Sequence, residues 1–419
     1  MSWLNIRLDR KMSLKHLISI RSFLMITFIV FTLSMICIQF VNNSFIESDS
    51  LVQEVIENVG RDLRYADIYR RADKLSKNLK YMLIWSGAED APLSYFGGGQ
   101  RKFLEKNCTN INCYVTTDRN FFNGDTTKFD AIAFNGRTIT TMGKSQLPKR
   151  RSHHQKFIYF NMESADNYPL CSAYFDDFFN WTATYRLDSD IPLTYIQIRD
   201  NNGTVVGPKK DMKWVDMGFL EDEELELRMQ NKTKAVAWFV SHCKTRSKRK
   251  DYAIQLKKAL YSFGFSVDIY GKCGPFKCPR HKEETCFSLL ERDYAFYLSF
   301  ENSFAEDYVT EKILTALQHT TVPIVRGGAD YSRFLPPGSY VDATKVTPNV
   351  LASEIVHIMM NTKYYSQFFR WWSHYSYRDP SQSDHICALC DALNDESKRA
   401  KTSTYKNFRK WWNTNNRCK

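Results

Sequence analysis

Two stretches of the chain carry side chains that could do chemistry on a phosphorylated ligand. The first is HCKTRSKRK, residues 242–250, where Lys244, Arg246, Lys248, Arg249 and Lys250 place five cations within seven residues. The second is FYLSFENSFAEDYVTEK, residues 296–312, which delivers Glu301 and Asn302 after an apolar run and then Tyr308, Glu311 and Lys312. A glutamate at the start of a helix suits the positive end of the dipole; a lysine there gains only if an anion joins it. Helix N-termini favour phosphate, and arginine adds bidentate capture. Taken singly, the first stretch could be a solvated charge run and the second a mildly unfavourable surface lysine. Brought to one edge of one sheet, they would form a diphosphate site.

The surrounding pattern predicts such an edge. KAVAWFVS (234–241), FSVDIYG (265–271), the run 296–300 and TVPIV (321–325) read as strands. Residues 250–263 put Tyr252, Leu256, Leu260 and Phe263 on one helical face, closed by Gly264. A second helix is expected over roughly 308–319, with Val309, Ile313 and Leu317 inward and Tyr308 and Lys312 on another side. Strand–helix–strand units in series imply a parallel sheet with ligands at the carboxyl ends of its strands. YMLIWS (81–86), DAIAFNG (130–136) and KFIYFNME (156–163) predict a smaller α/β half, separated from the first by the acidic segment 217–234. The fold class is therefore α/β, two Rossmann-like domains facing across a cleft. Gly97-Gly98-Gly99 lacks dinucleotide-loop spacing and reads as an ordinary loop, and the basic stretch LPKRRSHHQK as solvated.

A net charge of +12 and a pI near 9.0 suit an anionic partner. The N-terminus narrows the choice. Residues 22–41 run without a charge and would span about 30 Å as a helix, enough to cross a bilayer. Arg7, Arg10, Lys11, Lys15 and Arg21 precede them, and Glu47, Asp49, Glu54 and Glu57 follow, so residues 1–21 are expected in the cytosol and the rest beyond the membrane. An uncleaved signal-anchor fits better than a signal peptide, whose apolar part is shorter. Of eleven cysteines Cys37 lies in the span, and ten remain for an oxidising compartment. Sequons at Asn42, Asn107, Asn180, Asn202 and Asn231 all fall on that side. Nucleic acid drops out as a partner. Val52, Val55, Val59 and Leu63 suggest a helical stem over 42–80, through which a homodimer stays possible.

No Walker loop, HExxH or GxSxG elbow occurs. Asp188-Ser189-Asp190 resembles a metal-holding DxD but lies away from the basic stretches, so a structural role is expected and no metal ligand is assigned.

With TVPIV and YSRFLPPGSYV (331–341) after it, FYLSFENSFAEDYVTEK resembles the donor-binding signature of the α1,3-fucosyltransferase family. NMES (161–164), NWTATYRLDSD (180–190), VAWFVSHC (236–243), VDIYGKCG (267–274), CALCD (387–391) and, more thinly, CYVTTDR (113–119) are similar too. VSHC and the YGKCG loop are most like invertebrate members that fucosylate the N-glycan core. The resemblance implies a GT-B fold and inverting transfer of fucose from GDP-fucose to the 3-hydroxyl of GlcNAc in N-glycans. It favours the core GlcNAc over an antennal one; a non-catalytic glycan-binding relative is the rival reading.

By the same resemblance Arg249 contacts the diphosphate and Asn302, Tyr308, Glu311 and Lys312 contact the donor. Glu163, after a strand of the facing domain, is the general base. Cys387 and Cys390 pair with Cys108 and Cys113 in an order left open. Residues 81–220 form the acceptor-side domain, 234–370 the GDP-fucose domain and 371–419 a tail packing back on the first. The expected location is the Golgi membrane, single-pass, with the catalytic region lumenal. No cofactor is expected to be required, though a divalent ion could stimulate. Departures from the family pattern are Ala165 for proline, Asn135-Gly136, IPLTYIQI (191–198) and Arg326-Gly327-Gly328.

Overall fold

The computed structural model describes residues 24–39, 79–279, 283–380, 382–413 and 418; the expected cytosolic tail, most of the stem and the Asn42 sequon lie outside them. Residues 1–75 and 76–419 form separate units. In the first, residues 24–39 are helical and largely exposed. Among the described residues no helix is long and apolar enough to cross a membrane, and the ends of the 22–41 stretch are not described.

The second unit holds two parallel sheets and a small antiparallel one. β1 (Lys80–Ser86), β2 (Cys113–Thr116), β3 (Ala131–Asn135), β4 (Lys156–Asn161), β5 (Trp181–Thr184) and β6 (Ile191–Pro192) form the first lobe in the order β2-β1-β3-β4-β5-β6, parallel throughout. β7 (Gln197–Asp200) and β8 (Val205–Gly207) then leave this lobe. β9 (Lys234–Phe239), β10 (Val267–Tyr270), β11 (Tyr294–Phe300), β12 (Val322–Arg326) and β13 (Val341–Asp342) form the second lobe in the order β10-β9-β11-β12-β13, again all parallel. β14 (Tyr375–Arg378) returns to pair antiparallel with β7, which pairs with β8. Both large sheets are covered on two faces. Accordingly β4 is buried at all six positions and β11 at all seven, as continuous rather than alternating apolar runs.

One expectation changes, and one segment gains structure. Within the boundary segment 217–234, Asp222 caps a helix, Glu223–Gln230, whose Leu225 and Met229 enter the second-lobe core. The helix expected over 308–319 covers only Lys312–Leu317. The buried Glu301 carboxylate accepts from the Thr310 amide (2.9 Å) and hydroxyl (3.0 Å), and Asp307 adopts φ 56°, so residues before 311 are held as a loop. Gly264, at φ +80°, does close the Arg249–Tyr261 helix, donating its N–H to the Tyr261 carbonyl.

After β14 the chain rejoins the first lobe. The helix Gln382–Asn394 buries Ile386, Leu389 and Leu393 against Met82, Ile84 and Phe103. Phe408 and Trp412 lie 4.9 and 5.0 Å from the Tyr159 ring. Cys108 bonds Cys387, Cys113 bonds Cys390 and Cys171 bonds Cys418; Cys243–Cys273 and Cys278–Cys286 close loops of the second lobe.

Asn180 is a correction among the sequons. Its amide is buried, accepting from the Phe157 N–H (2.8 Å) and donating to the Thr402 carbonyl, so it has no room for a glycan in the folded chain. Asn107, Asn202 and Asn231 are exposed.

Candidate active site

In the second lobe the strand order reverses between β9 and β11, and the chain leaves the sheet in opposite directions on either side. A crevice must open at the carboxyl ends of those two strands. It is there, with a volume of about 1200 Å³, and Glu163 and Tyr168 of the first lobe close its other side. Of the five basic-loop cations, Lys244, Arg246 and Arg249 line it while Lys248 and Lys250 do not. The loop is fixed to the end of β11: the Ser247 hydroxyl donates to the Glu301 carbonyl (2.7 Å) and its amide to the Asn302 carbonyl (3.1 Å).

Arg249 is buried where β9 and β11 end. Its guanidinium donates to the Phe300 carbonyl at 2.6 Å, and Nε is buried without a partner. Burial pushes its pKa down, partly offset by Glu301. Among the described residues no carboxylate forms an ion pair with it, leaving a desolvated cation aimed at the crevice.

Lys312 is not left waiting for a ligand. Its Nζ lies 3.1 Å from the Glu301 carboxylate and 3.3 Å from that of Glu311, and it also bonds the Thr310 hydroxyl. Burial alone would push its pKa down, but the two carboxylates hold it above the ordinary lysine value. Glu301 is thus a buried counter-ion that lets a lysine open this helix. It was visible only as a glutamate after a strand, a signal that does not say which way the side chain turns.

Glu163 lies two residues beyond β4, in a turn where the Asn161 side chain accepts its N–H at 2.8 Å. Among the described residues its own carboxylate makes no hydrogen bond or ion pair, and it faces the crevice. Glu163, Arg249, Asn302, Glu311 and Lys312 therefore share one crevice.

Tyr308 does not join them. It is 3% exposed and packs on Tyr185 (4.9 Å between centroids) and Tyr195 (6.2 Å) of the first-lobe segment. Its neighbours bridge the lobes too: Glu306 pairs with Arg186 at 3.1 Å, and Asp307 accepts from the Leu187 amide at 3.2 Å. The loop 303–308, between two crevice-lining stretches, forms a seam against the first-lobe segment.

The DxD-like carboxylates are occupied. Asp188 pairs with Arg186 (2.8 Å) and accepts from Trp411 Nε1 (3.0 Å), and Asp190 accepts from the Thr182 amide (2.8 Å). Among the described residues no group of three or more His, Cys, Asp or Glu side chains is placed to hold a metal ion. Two departures from the family pattern have local causes. The Ala165 N–H donates to the buried Tyr185 hydroxyl (2.9 Å), a bond that proline could not make. A Cβ on Gly136 would come within 2.6 Å of the Tyr159 hydroxyl.

Family models match most of the described chain: "Fucosyltransferase, N-terminal" over residues 77–196 and "Glycosyltransferase family 10 (fucosyltransferase) C-term" over 229–411. Alpha-(1,3)-fucosyltransferase C of Drosophila melanogaster is 37% identical over 349 residues, covering 81% of this chain and 79% of the relative. Glycoprotein 3-alpha-L-fucosyltransferase A of the same fly is 31% identical, covering 81% of this chain and 61% of the relative. Alpha-(1,3)-fucosyltransferase fut-1 of Caenorhabditis elegans is 32% identical over 76% of this chain and 68% of its own length. A crystal structure of an α1,3-fucosyltransferase aligns with 80% of this chain and 95% of its own at a TM-score of 0.44 and 15% identity. With both halves matched and a relative this similar over four fifths of the chain, the protein belongs to the α1,3-fucosyltransferase family of glycosyltransferases.

Proposed function

We propose that this chain transfers L-fucose from GDP-β-L-fucose to the 3-hydroxyl of GlcNAc in glycoprotein N-glycans, with inversion to an α1,3 linkage, and that the core GlcNAc is the acceptor. The observation that carries the reading is the pairing in one crevice of a first-lobe carboxylate, Glu163, with second-lobe cations Lys244, Arg246, Arg249 and Lys312. The acceptor O3 attacks the fucose C1 from the face opposite GDP, Glu163 takes the hydroxyl proton, and the C1–O bond to the β-phosphate breaks with its electron pair leaving on GDP. Cations already in place bind the negative charge as it develops on the leaving group, and so lower the barrier. Those side chains supply the charge that a metal would otherwise bring, so transfer should persist in EDTA.

The uncharged stretch 22–41 and its basic N-terminal flank support anchorage in a Golgi membrane with the crevice on the lumenal side. The test is to supply GDP-fucose to the purified chain with a core chitobiose glycopeptide and, separately, an antennal N-acetyllactosamine glycan. Fucose on the innermost GlcNAc supports the full reading, and transfer to the antenna alone moves the acceptor. Transfer to neither overturns the activity.

A further inference from the structure

A second cavity, of about 590 Å³, lies at the carboxyl ends of β1 and β2 in the first lobe, walled by the Gly97–Gly98–Gly99 loop. That loop is held to the edge strand: the Gly99 N–H donates to the Val115 carbonyl (2.8 Å) and Val115 returns the bond (3.1 Å). Gly97 and Gly99 have positive φ, which accounts for their lack of a side chain. Gly98 does not, and a Cβ built on it would meet nothing within 4 Å. Neither backbone conformation nor packing therefore demands glycine at 98. Its bare backbone forms part of the cavity wall.

The lining is uncharged and suits hydroxyls. None of its residues is charged, which distinguishes it from the donor crevice. The Tyr114 ring lies against Gly99, and the hydroxyls of Ser94, Tyr114 and Thr117 make no hydrogen bond among the described residues. One aromatic ring, free hydroxyls and exposed peptide groups, without charge, are what a neutral sugar ring needs: an apolar face to stack on and partners for its rim. The cavity also shares its sheet edge with the general base. In the order β2-β1-β3-β4, it stands two to three strand spacings, roughly 10–15 Å, from the end of β4 that carries Glu163.

We propose that this cavity is a second glycan subsite, holding a neutral sugar residue of the acceptor beyond the GlcNAc that receives fucose. The inference rests on the fucosyl-transfer reading above. Gly98→Trp puts a bulky side chain on the wall of this cavity, at a position with open space around its Cβ and outside the donor crevice. Kinetics of the full-length chain are compared on two peptide-free acceptors, chitobiose and a complete neutral biantennary N-glycan. Gly98→Trp should raise KM for the large glycan about tenfold, equivalent to ~1.4 kcal/mol. KM for chitobiose and for GDP-fucose should stay at the wild-type value. An unchanged KM for the large glycan overturns the subsite while leaving the activity standing. If wild-type chain transfers to neither acceptor, the activity fails instead, and saturation-transfer NMR of the large glycan still decides. Contact signals lost in Gly98→Trp support the subsite, and signals absent or equal in both proteins overturn it.

Discussion

The hydroxyls of Ser164 and Ser303 hydrogen-bond to each other across the seam between the lobes. One is the neighbour of Glu163 and the other of Asn302, so this contact sets the first-lobe carboxylate against the donor side of the crevice. Glu163 can act only if it sits where the acceptor hydroxyl meets the sugar, and small misplacements are costly. Replacing Ser164 by alanine should lower kcat about tenfold, since a displacement near 1 Å can cost more than that. GDP affinity, read by calorimetry, should not move. Equal kcat in variant and wild type would show that the contact positions nothing.

Glu163→Gln keeps the shape and removes the carboxylate proposed as the base. Turnover should fall about 10³-fold, the middle of the range for general-base loss. GDP should bind as in wild type. Wild-type rates in the variant would assign the proton to another group.

The Glu301–Lys312 pair makes separate predictions for its two members. Glu301→Gln leaves Lys312 without its buried counter-ion and should cost about 3 kcal/mol of stability in urea denaturation. Lys312→Ala should weaken GDP binding by about tenfold or more, the scale of a charge-assisted contact. GDP affinity unchanged by Lys312→Ala would remove it from the donor site.

Lys312 is held above its ordinary value, so its stabilising contribution is complete below the lysine range and is lost as pH rises through the raised pKa. Glu311 is held low: partial desolvation by the crevice walls pushes it up, but Lys312 outweighs that, so its contribution is present above the carboxylate range and fades in acid. At 61% exposure the Glu311 side chain is well screened and its share is the smaller. Above the range where the GDP terminal phosphate itself titrates, GDP affinity measured calorimetrically should therefore be flat from roughly pH 7.5 to 9. A fall within that window would show that a group other than Lys312 and Glu311 governs donor binding.

Secreted or microsomal chain treated with an N-glycosidase should lose the same glycan mass whether or not it carries Asn180→Gln. The substitution should lower stability by about 1–3 kcal/mol, because it disturbs a buried, fully used amide. A smaller mass loss in the variant would mean that Asn180 carries sugar.

The parallel sheet of the second lobe was legible because its strands are long apolar runs and its loops carry conspicuous charge. The short strands were not: β6 and β13 are two residues each, too brief for any periodicity to register. Tyr308 illustrates a different gap. A tyrosine beside a glutamate and a lysine reads as part of a binding motif. Whether it faces ligand or protein depends on Tyr185 and Tyr195, more than a hundred residues away in sequence. Glu301 was hidden in the same way, since only the fold turns its carboxylate towards Thr310 and Lys312.

The pairing of Cys108, Cys113 and Cys171 with residues beyond 386 also bears on how the protein is made. Domains ordinarily fold in the order in which they leave the ribosome. Here the first lobe lacks part of its own core until Ile386, Leu389, Phe408 and Trp412 have been synthesised, after the whole second lobe. The second lobe is in effect an insert, the half of the molecule free to finish first. Three thiols of the earlier half must therefore wait for the tail before their native disulfides can close, so the last-made residues complete the covalent frame of the first-made lobe.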